Sequence, residues 1–205
     1  MYQKKFYTLT QSILLATVLS SSLITSACSA ESSNTPILSN QSPPAEIYKL
    51  GLAYYEGYSV PEDDDKAFEL FQKAANQGYV PAKHYLGIMY YEGLGVDQNY
   101  QKAFEWIEQA ANQGYANAQF DLGVIYHEGI AVEQDEIKKL EWFQQAANQG
   151  YTDAQFNLGI MYHESIGIEQ DYQKAMQWYL LAANNGSFDA QNNIGNFYEN
   201  GYGVT

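Results

Sequence analysis

Arginine is absent from this 205-residue chain, and cysteine occurs once. Ten lysines stand against 24 acidic residues, for a net charge of −14. So acidic a chain repels phosphate backbones, which argues against nucleic acid as a partner, and it would not settle on an anionic lipid surface by charge. A single cysteine excludes an intrachain disulfide framework, and no Cys/His metal cluster can be built. Long apolar runs are missing too. The longest, near the N-terminus, is too short and too serine-rich for a membrane-spanning helix, which needs about 20 apolar residues. No Ser/His/Asp set, phosphate-cradling glycine loop or nucleotide fingerprint is present.

What is present is a repeat. Leu50-Gly51, Leu86-Gly87, Leu122-Gly123, Leu158-Gly159 and Ile194-Gly195 recur every 36 residues without drift. Tyr54, Tyr90, Tyr126, Tyr162 and Tyr198 follow three residues after each glycine. Five ungapped copies mark one supersecondary unit that buries its apolar face against its neighbours.

Each unit reads as two helices. In the first, Ala154, Leu158, Met161 and Tyr162 fall at i, i+4, i+7 and i+8, with Phe156 and Ile160 adding a second apolar side. Such a helix is wet on one narrow face, as if sandwiched. Asn117, Asp153 and Asp189 are its expected N-caps, so that in the third unit it would run over residues 118–127. In the second helix, Ala103, Trp106, Ile107, Ala110 and Ala111 follow helical spacing. Asp63, Asn99, Asp135 and Asp171 are its expected caps, and Gly78, Gly114, Gly150 and Gly186 its expected stops. The in-helix glycines predict a close crossing, so Gly123→Leu should unfold the array. Val60, Val96, Val132, Ile168 and Val204 are expected to tuck the intervening loops onto the core.

The N-terminal segment reads as a signal for export. Lys4 and Lys5 precede an apolar stretch at residues 13–19, and the run Leu23-Ile24-Thr25-Ser26-Ala27-Cys28 is similar to a bacterial lipobox, with Thr25 departing from the usual aliphatic residue. That resemblance implies lipidation of Cys28 after removal of residues 1–27. The alternative is ordinary cleavage after Ala30 to a soluble form. Losing Lys4 and Lys5 would take the charge from −14 to −16. Residues 28–44 read as the lipidated cysteine and a Ser/Asn/Gln/Pro-rich tether. The 16 residues after Cys28 would hold the domain about 20 Å from the anchor as a coil and about 50 Å when stretched.

The segments Asp153-Ala-Gln-Phe-Asn-Leu-Gly-Ile-Met-Tyr162, Gly167-Ile-Glu-Gln-Asp-Tyr-Gln-Lys-Ala-Met-Gln-Trp178 and Ala182-Ala-Asn-Asn-Gly186 resemble the Sel1-like repeat, a relative of the tetratricopeptide repeat. The resemblance covers residues 45–205, divided as 45–80, 81–116, 117–152, 153–188 and a partial 189–205. It implies an all-α fold, a right-handed α/α superhelical solenoid of 36-residue helix-turn-helix repeats. It also implies a non-enzymatic scaffold or adaptor, often in bacterial envelope or secreted proteins. Some members carry a disulfide in every repeat. This chain has no such cysteines, so the penicillin-binding behaviour of that branch does not carry over.

Departures from the pattern stand out. Ser165 replaces a loop glycine, Glu136 and Lys139 replace the tyrosine and alanine that open the second helix, and Leu70 stands where the other repeats have Trp106, Trp142 and Trp178. The last repeat reads either as a cap, which Asn192 in place of Phe120 and Phe156 favours, or as a truncated repeat.

The candidate site lies on the first helices. Three columns should share a face by three-residue spacing: Tyr85, Asp121 and Asn157; Ile88, Val124 and Ile160; Tyr91, His127 and His163. A stripe of this kind can hold a peptide or a partner helix in the concave groove. Equally, Ile88, Val124 and Ile160 are half-buried packing residues. His127-Glu128 and His163-Glu164 also suggest a divalent-metal or acid/base pair, but the same column holds Tyr55, Tyr91 and Glu199, which points to ordinary surface chemistry. The expectation is an envelope scaffold binding a protein or peptide, needing no cofactor, and held to the membrane by the lipid. Ser29 after Cys28 favours the outer membrane, facing the periplasm; a soluble periplasmic or secreted form follows from the alternative cleavage. A carbohydrate or peptidoglycan-fragment binder using aromatic faces is the rival, and a hydrolase using His127 and His163 the weaker one.

Overall fold

The structure, a computed structural model, describes residues 42–203; the signal segment, Cys28, most of the tether and Val204 lie outside the described residues. Within the described residues the chain forms nine α-helices and no strand. They are α1 (Pro44–Tyr55), α2 (Asp64–Asn76), α3 (Val80–Glu92), α4 (Tyr100–Asn112), α5 (Ala116–Glu128), α6 (Glu136–Asn148), α7 (Thr152–Glu164), α8 (Tyr172–Asn184) and α9 (Phe188–Asn200). This is the all-α helix-turn-helix repeat architecture that the sequence implies. The helices fall into two compact units that divide after Gln113.

In the first unit α1 pairs with α2 and α3 with α4, and α2 packs on α3. Ile47, Phe71, Tyr85, Leu86 and Met89 fill its core, with Ala67, Ala74, Ala75 and Ala82 between them. In the second unit α5 pairs with α6 and α7 with α8; α6 packs on α7, and α8 on α9. The two helix types differ as their sequences require. α3, α5 and α7 bury an almost unbroken run of side chains from the second turn onward, whereas α4 buries Ala103, Phe104, Ile107, Ala110 and Ala111 along one stripe. A helix covered on most sides and a helix with one wet face are the inner and outer members of each pair.

The second helices start as expected. Asp63, Asn99, Asp135 and Asp171 adopt extended backbone, and their side chains accept from the N–H of Lys66, Lys102, Lys138 and Lys174. Their ends close through the paired alanines. Gly78 N–H donates to Ala75 and Tyr79 N–H to Ala74, with Gly78 at φ +85°, and the arrangement recurs at Gly150 and Gly186. This double bond satisfies two carbonyls that the helix leaves open, and it requires the left-handed conformation that glycine adopts without strain.

The first helices start two residues earlier than expected. Their N-caps are Tyr79, Tyr115, Tyr151 and Ser187 rather than Asn117, Asp153 and Asp189, which lie inside the first turn. The tight turn through Gly78, Gly114 and Gly150 delivers the chain directly into the next helix. A tyrosine offers no short side-chain acceptor for the helix N–H groups, and only Ser187 caps with its side chain, accepting from Ala190.

Four of the five in-helix glycines sit where a Cβ has no room. At Gly51 it would lie 2.7 Å from Phe71 Cε1, and at Gly123 2.6 Å from Phe143 Cδ1. At Gly87 it would collide with Ile107 and at Gly159 with Tyr179. The tyrosine one turn later has a specific partner as well. Lys66, Lys102, Lys138 and Lys174 place Nζ 5.1, 5.0, 4.7 and 5.3 Å from the ring centroids of Tyr54, Tyr90, Tyr126 and Tyr162. The carbonyls of the same tyrosines accept from the N–H of Asp63, Asn99, Asp135 and Asp171. One tyrosine thus locks the start of the second helix by ring and by backbone, a cation–π contact adding roughly 0.5–1 kcal/mol at a surface site.

Candidate functional site

The first-helix columns separate by burial. In the first unit Tyr85 and Ile88 are buried and Tyr91 is half-buried. Tyr85 packs against Tyr48, Tyr55 and Phe71 at centroid distances of 5.7, 5.5 and 5.0 Å, so its ring belongs to the core. Tyr91 meets the edge of Tyr100 at 5.2 Å, and Tyr100 is exposed. In the second unit Asp121, Val124 and Asn157 are buried, while His127, Ile160 and His163 are half-buried. Tyr91, His127, Ile160 and His163 therefore reach solvent, and the other five candidates pack inside. For Ile88 and Val124 the packing role is the observed one.

His127 does not act alone. Its Nδ1 lies 2.7 Å from Glu136 Oε1 and 3.2 Å from Lys139 Nζ, and Lys139 lies 3.1 Å from Glu136 Oε2. Gln134 Nε2 also donates to Glu136 Oε1, at 3.1 Å. Lys139 is only 1 % exposed. Burial pushes its ammonium below the usual lysine range, against the pull of Glu136. Burial works to raise the Glu136 carboxyl, but hydrogen bonds from His127, Lys139 and Gln134, with the lysine charge, hold it below its ordinary value. The two departures of the third repeat are thus a matched pair. Where the neighbours carry Tyr100 with Ala103 and Tyr172 with Ala175, this repeat carries Glu136 with Lys139 and turns His127 toward them. Sequence spacing alone did not reveal it, although two departures three residues apart in one repeat were the available signal.

His163 sits in an aromatic setting instead. Tyr172, Phe197 and Tyr202 lie at 5.8, 4.9 and 6.1 Å from its ring, and burial lowers its pKa. Tyr172 and Tyr202 stack at 4.5 Å, 6° from parallel. The two histidines therefore occupy unlike environments. Among the described residues no group of three or more His, Cys, Asp or Glu side chains could hold a metal ion.

A second polar feature went unread in the sequence. Asp153 is largely buried, and burial together with the charges of Asp121 and Asp189 pushes its carboxyl up to about 6. Asn157 Nδ2 donates to the Asp153 carbonyl at 2.8 Å, and burial and the charge of Asp121 raise the neighbouring Tyr151 hydroxyl. Asp153 and Asp189, expected to cap helices, instead lie in first turns and, with Asp121, act on one another through their charges.

Comparison with known proteins decides the family. The Sel1 repeat family matches residues 47–79, 80–115, 116–151, 152–187 and 188–205. The chain belongs to the Sel1 repeat family. Among solved structures, the Sel1-like fold of c5321, a protective antigen present in uropathogenic Escherichia coli strains, is 39 % identical, with a TM-score of 0.74 over 78 % of this chain. This chain spans 34 % of the length of that antigen. A Sel1 repeat protein from Oxalobacter formigenes is 32 % identical, with a TM-score of 0.75, covering 78 % of this chain and 66 % of its own. Helicobacter pylori cysteine rich protein B is 25 % identical, with a TM-score of 0.50, covering 63 % of this chain and 96 % of its own. No curated protein matches by sequence. Sel1 repeats generally serve as protein-interaction scaffolds, a typically non-catalytic role, and the repeat frame described above is of that kind.

Proposed function

We propose that this Sel1 repeat protein is an exported, lipid-anchored scaffold of the bacterial cell envelope whose first-helix face binds a peptide or protein. One observation carries the reading. The frame is constant from repeat to repeat, with glycine against an aromatic or isoleucine and lysine over tyrosine, while the half-buried first-helix column holds Tyr91, then His127 among Glu136 and Lys139, then His163 among aromatic rings. A fixed frame presenting varied, partly exposed side chains is the arrangement of a recognition surface. The lipobox-like run at Cys28 supplies the anchor and residues 29–44 the tether. The similar c5321 is a protective antigen present in uropathogenic E. coli strains, which agrees with a Sel1 repeat protein of the cell envelope.

The test is a photo-crosslinking residue placed at Tyr91 and, separately, at Ile160, in cells that make the full chain. Capture of the same protein from both positions supports the scaffold. Capture of cell-wall glycan at either position replaces it with the glycan binder, and no capture from either removes the site. Fractionation of Cys28→Ala with the membrane, as for the native chain, would overturn the lipid anchor.

A further inference from the structure

The third repeat fixes a proton on one nitrogen of His127. Nδ1 of the ring has two close polar neighbours, Glu136 Oε1 at 2.7 Å and Lys139 Nζ at 3.2 Å. They make opposite demands on it, since a carboxylate oxygen accepts and an ammonium donates. The carboxylate decides. Lys139 Nζ donates to Glu136 Oε2 at 3.1 Å, and Gln134 Nε2 donates to Oε1 at 3.1 Å. Burial opposes ionisation of Glu136, but these bonds, the one from His127 and the lysine charge keep its carboxyl below the ordinary range. An ionised carboxylate has no proton to give. A 2.7 Å contact with it therefore needs the hydrogen on Nδ1, because two lone pairs at that distance would repel. Lys139 has its own acceptor in Oε2, so it seats the carboxylate without needing the ring nitrogen.

We propose that Glu136 and Lys139 act together as a tautomer lock, so that His127 meets a partner as a hydrogen-bond acceptor through Nε2. In an uncharged imidazole one nitrogen carries the proton and the other the lone pair. With the proton on Nδ1 tied to the carboxylate, the lone pair sits on Nε2. The side chain is 29 % exposed, so the locked ring stays within reach of a ligand. Such a place takes an N–H or O–H donor: a backbone amide, a hydroxyl or an amide side chain. This deepens the reading of the first-helix face as a recognition surface and rests on it, naming what one position of that face accepts. Glu136 and Lys139 are positioning residues, and His127 is the residue that sets specificity. The neighbouring repeats show what the two departures change. In the same register Tyr91 meets Tyr100 at 5.2 Å and His163 meets Tyr172 at 5.8 Å, ring against ring. His127 faces a carboxylate where His163 faces a tyrosine, so the two histidines offer a partner different chemistry.

The test is nitrogen-15 spectroscopy of the histidine rings in the full chain, at about pH 8, above the ordinary histidine range. The chain has 3 histidines, and loss of one pair of ring signals in His127→Gln assigns the pair of interest. In the native chain that pair should show a protonated Nδ1 and an unprotonated Nε2. Glu136→Tyr with Lys139→Ala gives the third repeat the pair that stands at Tyr100 and Ala103, and there the proton should move to Nε2. Residues with a merely structural role would alter stability and leave the proton where it was. Diethyl pyrocarbonate then tests reach, because the lone pair that accepts a hydrogen bond is the one that attacks its carbonyl carbon. Ethyl carbonate is expelled and carries off the Nδ1 proton. Peptide mapping should find His127 acylated in the native chain and His84, 2 % exposed, unmodified. A native Nε2 proton, or protons on both nitrogens, overturns the lock. An unmoved proton in the double variant removes Glu136 and Lys139 from it, and an unreactive His127 removes the acceptor. No partner enters these readouts. Their failure overturns the lock whatever crosslinking at Tyr91 and Ile160 captures, whereas a failed capture removes the recognition surface and leaves the proton on Nδ1, so the two failures are distinguishable.

Discussion

Replacing one in-helix glycine by alanine should give opposite results at two equivalent positions. At Gly123 an added Cβ would lie 2.6 and 2.7 Å from two carbons of the Phe143 ring and 3.3 Å from the Lys139 carbonyl oxygen. The ring has little room to retreat. Phe143 is buried and stacked on Phe120 at 4.9 Å, 13° from parallel, and Phe120 is held in turn by Tyr151 at 5.2 Å. Overpacking of this kind costs about 1–3 kcal/mol, and alanine returns up to about 1 kcal/mol of helix propensity. Gly123→Ala should therefore lose about 1–2 kcal/mol net, a fall of roughly 2–8 °C in Tm for a chain of this size. At Gly195 the position of a Cβ has nothing within 4 Å, so the steric cost is absent. The propensity gain remains, and Gly195→Ala should gain up to about 1 kcal/mol. Thermal and urea unfolding followed by circular dichroism would separate the two. Repeat arrays unfold in parts, so hydrogen exchange at α5 and α9 should show where each change acts. If Gly123→Ala matches the native chain, or if both variants shift in the same direction, the close-crossing account of the glycines is wrong.

Other substitutions test the polar features. Glu136→Gln leaves the Lys139 ammonium buried without its carboxylate and should cost about 1–3 kcal/mol by urea unfolding; adding Lys139→Ala, which restores the alanine of Ala103 and Ala175, should recover most of that loss. Asp153 should make stability rise as pH falls. Its folded carboxyl titrates at about 6 and an unfolded one near 4, so between those values the folded chain binds the extra proton; Asp153→Asn should flatten that slope and add up to about 2 kcal/mol at pH 7 in urea melts across pH 4–8. Ala131 holds φ +65° in the register where Gly95 and Gly167 hold +63° and +68°, so Ala131→Gly should stabilise by about 0.5–1 kcal/mol, seen as a rise in Tm.

Much of the fold is legible because several independent signals fall in the same register. A cap, a lysine, an alanine pair and a closing glycine recur at fixed offsets, and each has a separate physical function in the structure: the cap accepts a helix N–H, the lysine covers a ring, the alanines accept the closing bonds. Chance would not align them. The first-helix starts were less legible for a related reason. Asn117, Asp153 and Asp189 are good capping residues by type, but the turn that closes the preceding helix already fixes where the next begins. Local preference yields there to a three-residue connection that leaves no room for a longer approach.

The site was harder to read because three-residue spacing names a face without saying what covers it. Ile88 and Ile160 hold equivalent places two repeats apart, yet one is buried and the other half-buried. Periodicity cannot distinguish them, since both lie on helices that are apolar nearly all round. The chemistry of the site was legible only through its exceptions. Glu136 and Lys139 each look like a lapse from the repeat when taken alone. Together with His127 they form a hydrogen-bonded set around a lysine that solvent does not reach. A buried charge survives only when it is paired, so a lysine in an alanine column carries its own requirement for a nearby carboxylate. The glutamate three residues earlier, one turn away on the same helix face, meets it. In an array this regular, paired departures mark where one repeat has acquired chemistry of its own. That is why Tyr91, His127, Ile160 and His163, rather than the invariant tyrosines, are the positions at which recognition is expected to vary.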